Sequence, residues 1–208
     1  LADGATATVL EDSTGAGASV LTSLSIGAGA TLDITNDALV VDYTGASPAS
    51  TIREKIASAR GGPGLGQSWN GTGITSSTVA EVNGADPESR SVGFAENATL
   101  PLGAYTHFRG VAVDDTAVLV AYARTGDANL DGVVNDDDVT IVGASYAPGV
   151  PNPSWALGDF DNNGFVDDDD VTLLGVFYDP AAPPLMAPAS IGAGVAAVPE
   201  PSSMALAV

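Results

Sequence analysis

Two kinds of hydrophobic pattern divide the chain. From Ser19 to Tyr43 apolar and small polar residues alternate through SVLTSLSI, ATLDIT and ALVVDY, with Gly-Ala-Gly and Asn-Asp between them. Alternation puts successive side chains on opposite faces of an extended strand, and Gly, Asn and Asp supply the breaks. Short strands at intervals of about nine to twelve residues predict an all-β sandwich or a coil of a β-solenoid. Ser91–Ala95, Phe108–Val113 and Ala117–Ala123 read as further strands. One stretch has helical period instead: Ile52, Ile56 and Ala59 share a face, Ser47-Pro48 supplies an N-cap and first helical residue, and Gly61-Gly62 the stop. Pro63–Gly73 is a glycine-rich loop containing Trp69, and Ser76–Val82 predicts a short helical turn.

Beyond Thr125 the pattern changes. GDANLDGVVNDDDVTIVGASY (126–146) and GDFDNNGFVDDDDVTLLGVFY (158–178) are offset by 32 residues and identical at 11 of 21 positions. Each ends in a segment of helical spacing, with Val139, Val142 and Tyr146 in the first copy and Val171, Leu174 and Tyr178 in the second. The aspartates just before these segments fall in the first helical turn, where the helix dipole favours negative charge. No amphipathic helix precedes either copy. A β-branched run leads into the first, and Pro148–Pro153 interrupts the chain before the second.

The part of each copy ahead of its helix has the chemistry of a calcium loop. A hard dication takes six to eight oxygens, and a twelve-residue loop supplies them from positions 1, 3, 5, 7, 9 and 12, with Gly at 6 for the sharp turn. In loop 1 those positions are Asp127, Asn129, Asp131, the Val133 carbonyl, Asn135 and Asp138, around Gly132. In loop 2 they are Asp159, Asp161, Asn163, the Phe165 carbonyl, Asp167 and Asp170, around Gly164. Turn preference explains acidic composition but not a ligand register kept twice. Packing four carboxylates at one point without a cation raises their pKa values, so ion binding and folding are expected to be linked, with two calcium ions per chain. The last ligand is Asp where the general motif has Glu, so the loop draws in closer or that ligand binds through one oxygen.

The pair resembles a dockerin domain, the duplicated calcium-binding module that attaches secreted proteins, often polysaccharide-degrading enzymes, to cohesin domains. The resemblance covers about residues 125–180. It implies two ions, two exit helices packed with approximate two-fold symmetry, and a partner-binding face on those helices. Many cohesin-binding dockerins carry Ser/Thr pairs at loop positions 10 and 11, with Lys or Arg farther along the helix. Here Asp136, Asp137, Asp168 and Asp169 stand at those positions and no basic residue follows Arg124. The calcium implication does not depend on those positions, whereas the cohesin implication does.

Charge sharpens the division. Six basic against 26 acidic residues give a net charge of -20, which excludes nucleic acid and anionic membrane surfaces as partners. All six basic residues lie between Arg53 and Arg124, and the last 84 residues hold 13 acids and no base. Without cysteine there is no disulfide framework, and calcium is the expected staple. Such loops saturate at extracellular calcium, so an extracellular or cell-surface location is expected. The chain starts at Leu1 without Met, which fits a piece of a longer precursor. Val198-Pro-Glu-Pro-Ser-Ser203 resembles the start of a bacterial PEP-CTERM sorting signal, after a linker at Ala181–Ala197. Met204–Val208 is too short to span a bilayer, so membrane attachment is expected only through a sorting tail that this sequence does not carry.

Catalytic chemistry is sparse. His107 is the single histidine and sits in a predicted strand, no nucleophile elbow occurs, and GGPGLG lacks the Lys-Ser/Thr of a phosphate loop. Trp69 and Trp155 are expected to pack inside the fold and not to stack on sugars. The sequence therefore predicts an α+β chain: a β-rich solenoid- or sandwich-like domain at 1–124, resembling the C-terminal rungs of bacterial surface passenger proteins, a two-helix dockerin-like module at 125–180, and a disordered tail at 181–208. The expected role is non-enzymatic attachment, docking on a cohesin-like domain or on the adjacent β domain, or capping that domain. The alternative is the C-terminal tail of a secreted polysaccharide-degrading enzyme whose upstream domain would associate with the polysaccharide.

Overall fold

The computed structural model describes residues 1–9 and 17–185. The proposed sorting motif and all but the first five residues of the expected linker lie outside the described residues. The alternating segments form short strands: β1 (Thr6–Thr8), β2 (Ser19–Leu21), β3 (Thr31–Asp33) and β4 (Ala38–Asp42). Successive strands alternate between two sheets, so β1 pairs with β3 and β2 with β4, both parallel, with Thr6 opposite Thr31 and Ser19 opposite Leu39. That winding gives one strand to each sheet per turn. It stops where α1 (Ala49–Arg60) leaves the coil and the chain returns as β5 (Gly73–Thr75), parallel to β3.

α1 buries Ile52, Ile56 and Ala59 as its spacing predicts, and Gly61 ends it in the left-handed region at φ 105°. The cap differs by one residue: Pro48 holds the N-cap position, and the Ser47 hydroxyl accepts from the Ala49 N–H. β5 runs so close to α1 that a Cβ at Gly73 would lie 2.1 Å from the Lys55 carbonyl oxygen, which explains why the connection is glycine-rich. α2 (Ser77–Ala85) begins at Ser76, whose buried hydroxyl accepts from the Val79 N–H at 3.0 Å.

The second sheet is completed by β6 (Arg90–Glu96) and β9 (Ala117–Arg124), in the order β2-β4-β9-β6 with the last three antiparallel. β9 is buried along nearly its whole length, as its continuous apolar run requires. The segment expected as one strand at Phe108–Val113 is instead a hairpin, β7 (His107–Phe108) and β8 (Val111–Ala112). Arg109 and Gly110 both take positive φ, 48° and 79°, and reverse the chain in two residues. Trp69 and Trp155 are buried, in keeping with a packing role.

The molecule is α+β, with four α-helices and several sheets among the described residues and no closed barrel. No helix among them is long and apolar enough to cross a membrane. α3 (Asp136–Ser145) and α4 (Asp168–Phe177) follow the two loops. One hydrophobic core runs from Ile26 through both sheets to Leu174. Trp155, in a 3-10 turn at Trp155–Leu157, wedges against β6 at Gly93 and packs edge-on to Phe160 with ring centroids 5.0 Å apart.

Candidate metal centre

Both loops take the same backbone path. At position 4, Leu130 and Asn162 are left-handed, with φ 63° and 57°; at position 6, Gly132 and Gly164 have φ 93° and 94°. A side chain at position 6 would be strained there, whereas glycine is not. Behind each glycine the first ligand carboxylate is held by the backbone. Gly132 N–H donates to Asp127 at 2.9 Å, and Gly164 N–H to both Asp159 oxygens at 3.2 and 3.3 Å.

The last ligand closes each loop and starts its helix. The Asp138 carboxylate accepts from the Ala128, Asn129 and Asn135 N–H groups, while the Asn135 side chain accepts from Asp137 N–H, a reciprocal cap. Asp170 and Asp167 repeat the arrangement on Phe160, Asp161, Asp167 and Asp169. The residues expected as ligands at positions 9 and 12 therefore also cap the helices, which is why each helix begins within the acidic run, at Asp136 and Asp168.

In loop 2, Asp159, Asp161 and Asp170 are buried with ligand oxygens within 4.8 Å of one another. The Asn163 amide donates to Asp161 and Asp167 at 3.2 Å each, joining positions 3, 5 and 9. In loop 1, Asp127, Asn129 and Asp138 are buried, Asp131 is half-buried, and the Asn129 amide donates to Asp131 at 3.1 Å. Val133 and Phe165, whose carbonyls were assigned to position 7, are half-buried. Their N–H groups donate to Asp131 and Asn163 at 2.9 and 2.8 Å.

Burial acts strongly on these carboxylates. It raises Asp127 well above the usual range, with Asp138 and Asp131 adding repulsion. Burial also lifts Asp159 to about 7 and Asp138 and Asp170 to about 6, and raises Asp161. The three converging buried oxygens of loop 2 fit a hard dication, which would favour the charged form of these carboxylates, whereas among the described residues the acidic groups of loop 1 form no such trio.

The rest of the chain grips both loops, which the local sequence pattern did not reveal. The Arg60 guanidinium of α1 donates to the Asp161 carbonyl at 2.8 Å, and Arg53 Nη2 lies 3.9 Å from Asp159 Oδ2. At loop 1, Arg124 Nε donates to the Gly132 carbonyl at 3.1 Å, Trp155 Nε1 to the Asp127 carbonyl at 2.8 Å, and the Tyr105 hydroxyl to the Asn129 carbonyl at 3.0 Å. The segment after each helix braces the opposite loop. Asn152 N–H donates to the Gly164 carbonyl at 2.8 Å and Leu185 N–H to the Gly132 carbonyl at 2.9 Å. Residues 181–185, expected to open a linker, are therefore packed against loop 1.

The helices lie antiparallel, each end beside the start of the other: Tyr146 hydroxyl donates to Asp168 at 2.5 Å and Tyr178 hydroxyl to Asp136 at 2.6 Å. Between them Val139, Val142, Val171 and Leu174 line an apolar groove of about 380 Å³, and Val139 and Val171 are exposed. His107 is exposed on its hairpin. No known protein family, no curated protein and no solved structure matches the chain.

Proposed function

We propose that residues 127–138 and 159–170 are two calcium sites, and that the chain is a calcium-ordered, non-enzymatic, extracellular attachment module of dockerin type. The observation that carries this reading is the duplicate loop: the same left-handed residues at positions 4 and 6, the same carboxylate on the position 6 N–H, and the same terminal aspartate closing the loop and capping a helix. Asp127, Asn129, Asp131, Asn135 and Asp138 would hold one ion, with the Val133 carbonyl. Asp159, Asp161, Asn163, Asp167 and Asp170 would hold the other, with the Phe165 carbonyl. Calcium supplies positive charge where the chain has gathered buried negative charge.

The partner surfaces follow from packing. One face of the module is already applied to the β half through Trp155, Leu130 and the arginines. The opposite surface, the apolar groove between α3 and α4, is left for a second protein such as a cohesin-like domain. Equilibrium dialysis of the full chain tests the reading: two calcium ions should be retained per chain, and none after Asp127→Ala plus Asp159→Ala. A wild-type chain that retains no divalent ion refutes it.

A further inference from the structure

Resting on that calcium reading, we propose that Arg53 sets the affinity of loop 2. It is a tethered cation, supplied by the β half, that pairs with the position 1 carboxylate and is opposed by a dication bound there.

Four of the six basic residues of the chain, Arg53, Arg60, Arg109 and Arg124, are directed at the two loops, but three of them are buried or fastened to carbonyls. Arg60 is buried, donates to the Gly62, Gly64 and Asp161 carbonyls, and is matched by the Glu88 carboxylate at 3.2 Å. Arg109 is buried, lies 5.5 Å from the Phe108 ring centroid, and its charge acts on Asp127 and Asp131 of loop 1. Arg124 is fastened to the Gly132 and Pro183 carbonyls.

Arg53 is different. Its side chain is 25% exposed on α1, its Nε has no hydrogen-bond partner among the described residues, and its ion pair is with Asp159 at 3.9 Å. Its Nη2 also lies 3.8 Å from where a Cβ on Gly164 would stand, so the guanidinium covers the turn of the loop. Charge, and not a directed network, holds it there.

The sign of the coupling follows from counting. With its carboxylates ionised, loop 2 presents Asp159, Asp161, Asp167 and Asp170 at ligand positions, formally -4, and with a dication it is formally -4 + 2 = -2. The guanidinium is attracted more strongly to the metal-free loop than to the loaded one. A group that favours the metal-free state lowers affinity, and by reciprocity the ion weakens the hold of Arg53 on the loop. Among the described residues no partly exposed arginine pairs with the position 1 carboxylate of loop 1, so the affinity of loop 1 is set independently of Arg53.

The Gly132 and Gly164 amides, each donating to the position 1 carboxylate of its own loop, report the loops separately in a ¹⁵N-resolved calcium titration of the full chain. For Arg53→Gln the apparent Kd read at Gly164 should fall about fivefold, the size of one nearby, partly screened charge, while that at Gly132 stays constant. Arg53→Met should match it, Arg53→Lys should keep the wild-type value, and about 1 M salt should erase the difference. An unchanged or weaker Kd at Gly164 in both neutral variants, with Gly132 still titrating, overturns the role of Arg53 alone. If neither glycine responds to calcium even in the wild type, the calcium reading falls and this role falls with it.

Discussion

Gly93→Ala probes whether the loops and the sheet form one cooperative body. Gly93 lies in β6 opposite Ala121 of the central strand, and an added Cβ would meet Leu130 Cδ2 at 2.6 Å and Trp155 Nε1 at 2.7 Å. Neither neighbour has a cheap retreat. Leu130 is a left-handed loop residue buried in the core, and Trp155 is pinned by its hydrogen bond to the Asp127 carbonyl and its edge contact with Phe160. Overpacking of this kind costs about 1–3 kcal/mol. Removing a glycine from the unfolded chain returns about 0.4–1 kcal/mol, because Ala has fewer unfolded conformations to lose. The net expectation is a loss of about 1–2 kcal/mol, or a Tm lower by roughly 2–8 °C for a chain of this length. Thermal melts should be followed by helix circular dichroism and tryptophan fluorescence, with and without calcium. Both probes should shift together, and the calcium affinity read at Gly132 should weaken because Trp155 braces Asp127. A melt that is unchanged or raised would refute the reasoning, since a module resting loosely on the sheet would move aside.

Further expectations follow from the same contacts. Burial raises Asp159 to about 7 and Asp138 and Asp170 to about 6, so the folded metal-free protein binds protons that the unfolded chain, with carboxylates near 4, has released. Its stability therefore falls as pH rises from about 4 to 7. Chelated protein should melt higher at pH 5 than at pH 7.5, and saturating calcium should reverse the order; the same order in both conditions contradicts the burial argument. At a free calcium concentration about a hundredfold above Kd, each ion should stabilise the chain by about 2.7 kcal/mol, about 5.4 kcal/mol for two independent sites, an increment that Asp127→Ala plus Asp159→Ala should remove. Ser76→Ala removes a buried cap on α2 and leaves the Val79 N–H without its acceptor, costing about 1–2 kcal/mol by urea denaturation with calcium binding unchanged. Val139→Asp plus Val171→Asp puts charge on the exposed rim of the α3–α4 groove, and should abolish capture of a cohesin-like partner while leaving the Tm within about 2 °C; retained capture would place the partner elsewhere.

The backbone path of the loops and their exit helices were legible in the sequence because a loop of this pattern is a local device. Its ligand spacing, its glycine and its exit helix are all set within about twelve residues, and duplication separates that pattern from an acidic turn. α1 and β9 were legible for a similar reason, one through a single apolar face and the other through an unbroken apolar run. β1 and β5 were not: three residues each, they are strands only because β3 lies between them, and nothing within TAT or GIT announces a distant parallel neighbour. The β7–β8 hairpin was missed because its reversal places Arg109, a residue without turn preference, in the left-handed region beside Gly110. Docking of the loops on the β half was expected, but the residues that make the hold were hidden by distance, since Arg60 reaches Asp161 across 101 residues.

One global property of the sequence nevertheless carried that long-range information. A chain of net charge -20 that keeps every basic residue between Arg53 and Arg124, and none among its last 84 residues, has not distributed charge for solubility alone. Arg53 and Arg60 meet loop 2, Arg124 holds the Gly132 carbonyl of loop 1, and the charge of Arg109 acts on Asp127 and Asp131. At these contacts the two halves are complementary in charge, and their core is continuous. Metal-free, the arginines offset part of the repulsion among the buried carboxylates; with an ion bound, Arg60 and Arg124, which hold loop carbonyls, would still fix the loops against the sheet while the hold of Arg53 on Asp159 relaxes. On this arrangement calcium is not expected to fold an independent domain beside a finished one. It is expected to tighten a face that the β half already holds, so that ion binding is felt as far away as Gly93 and α1.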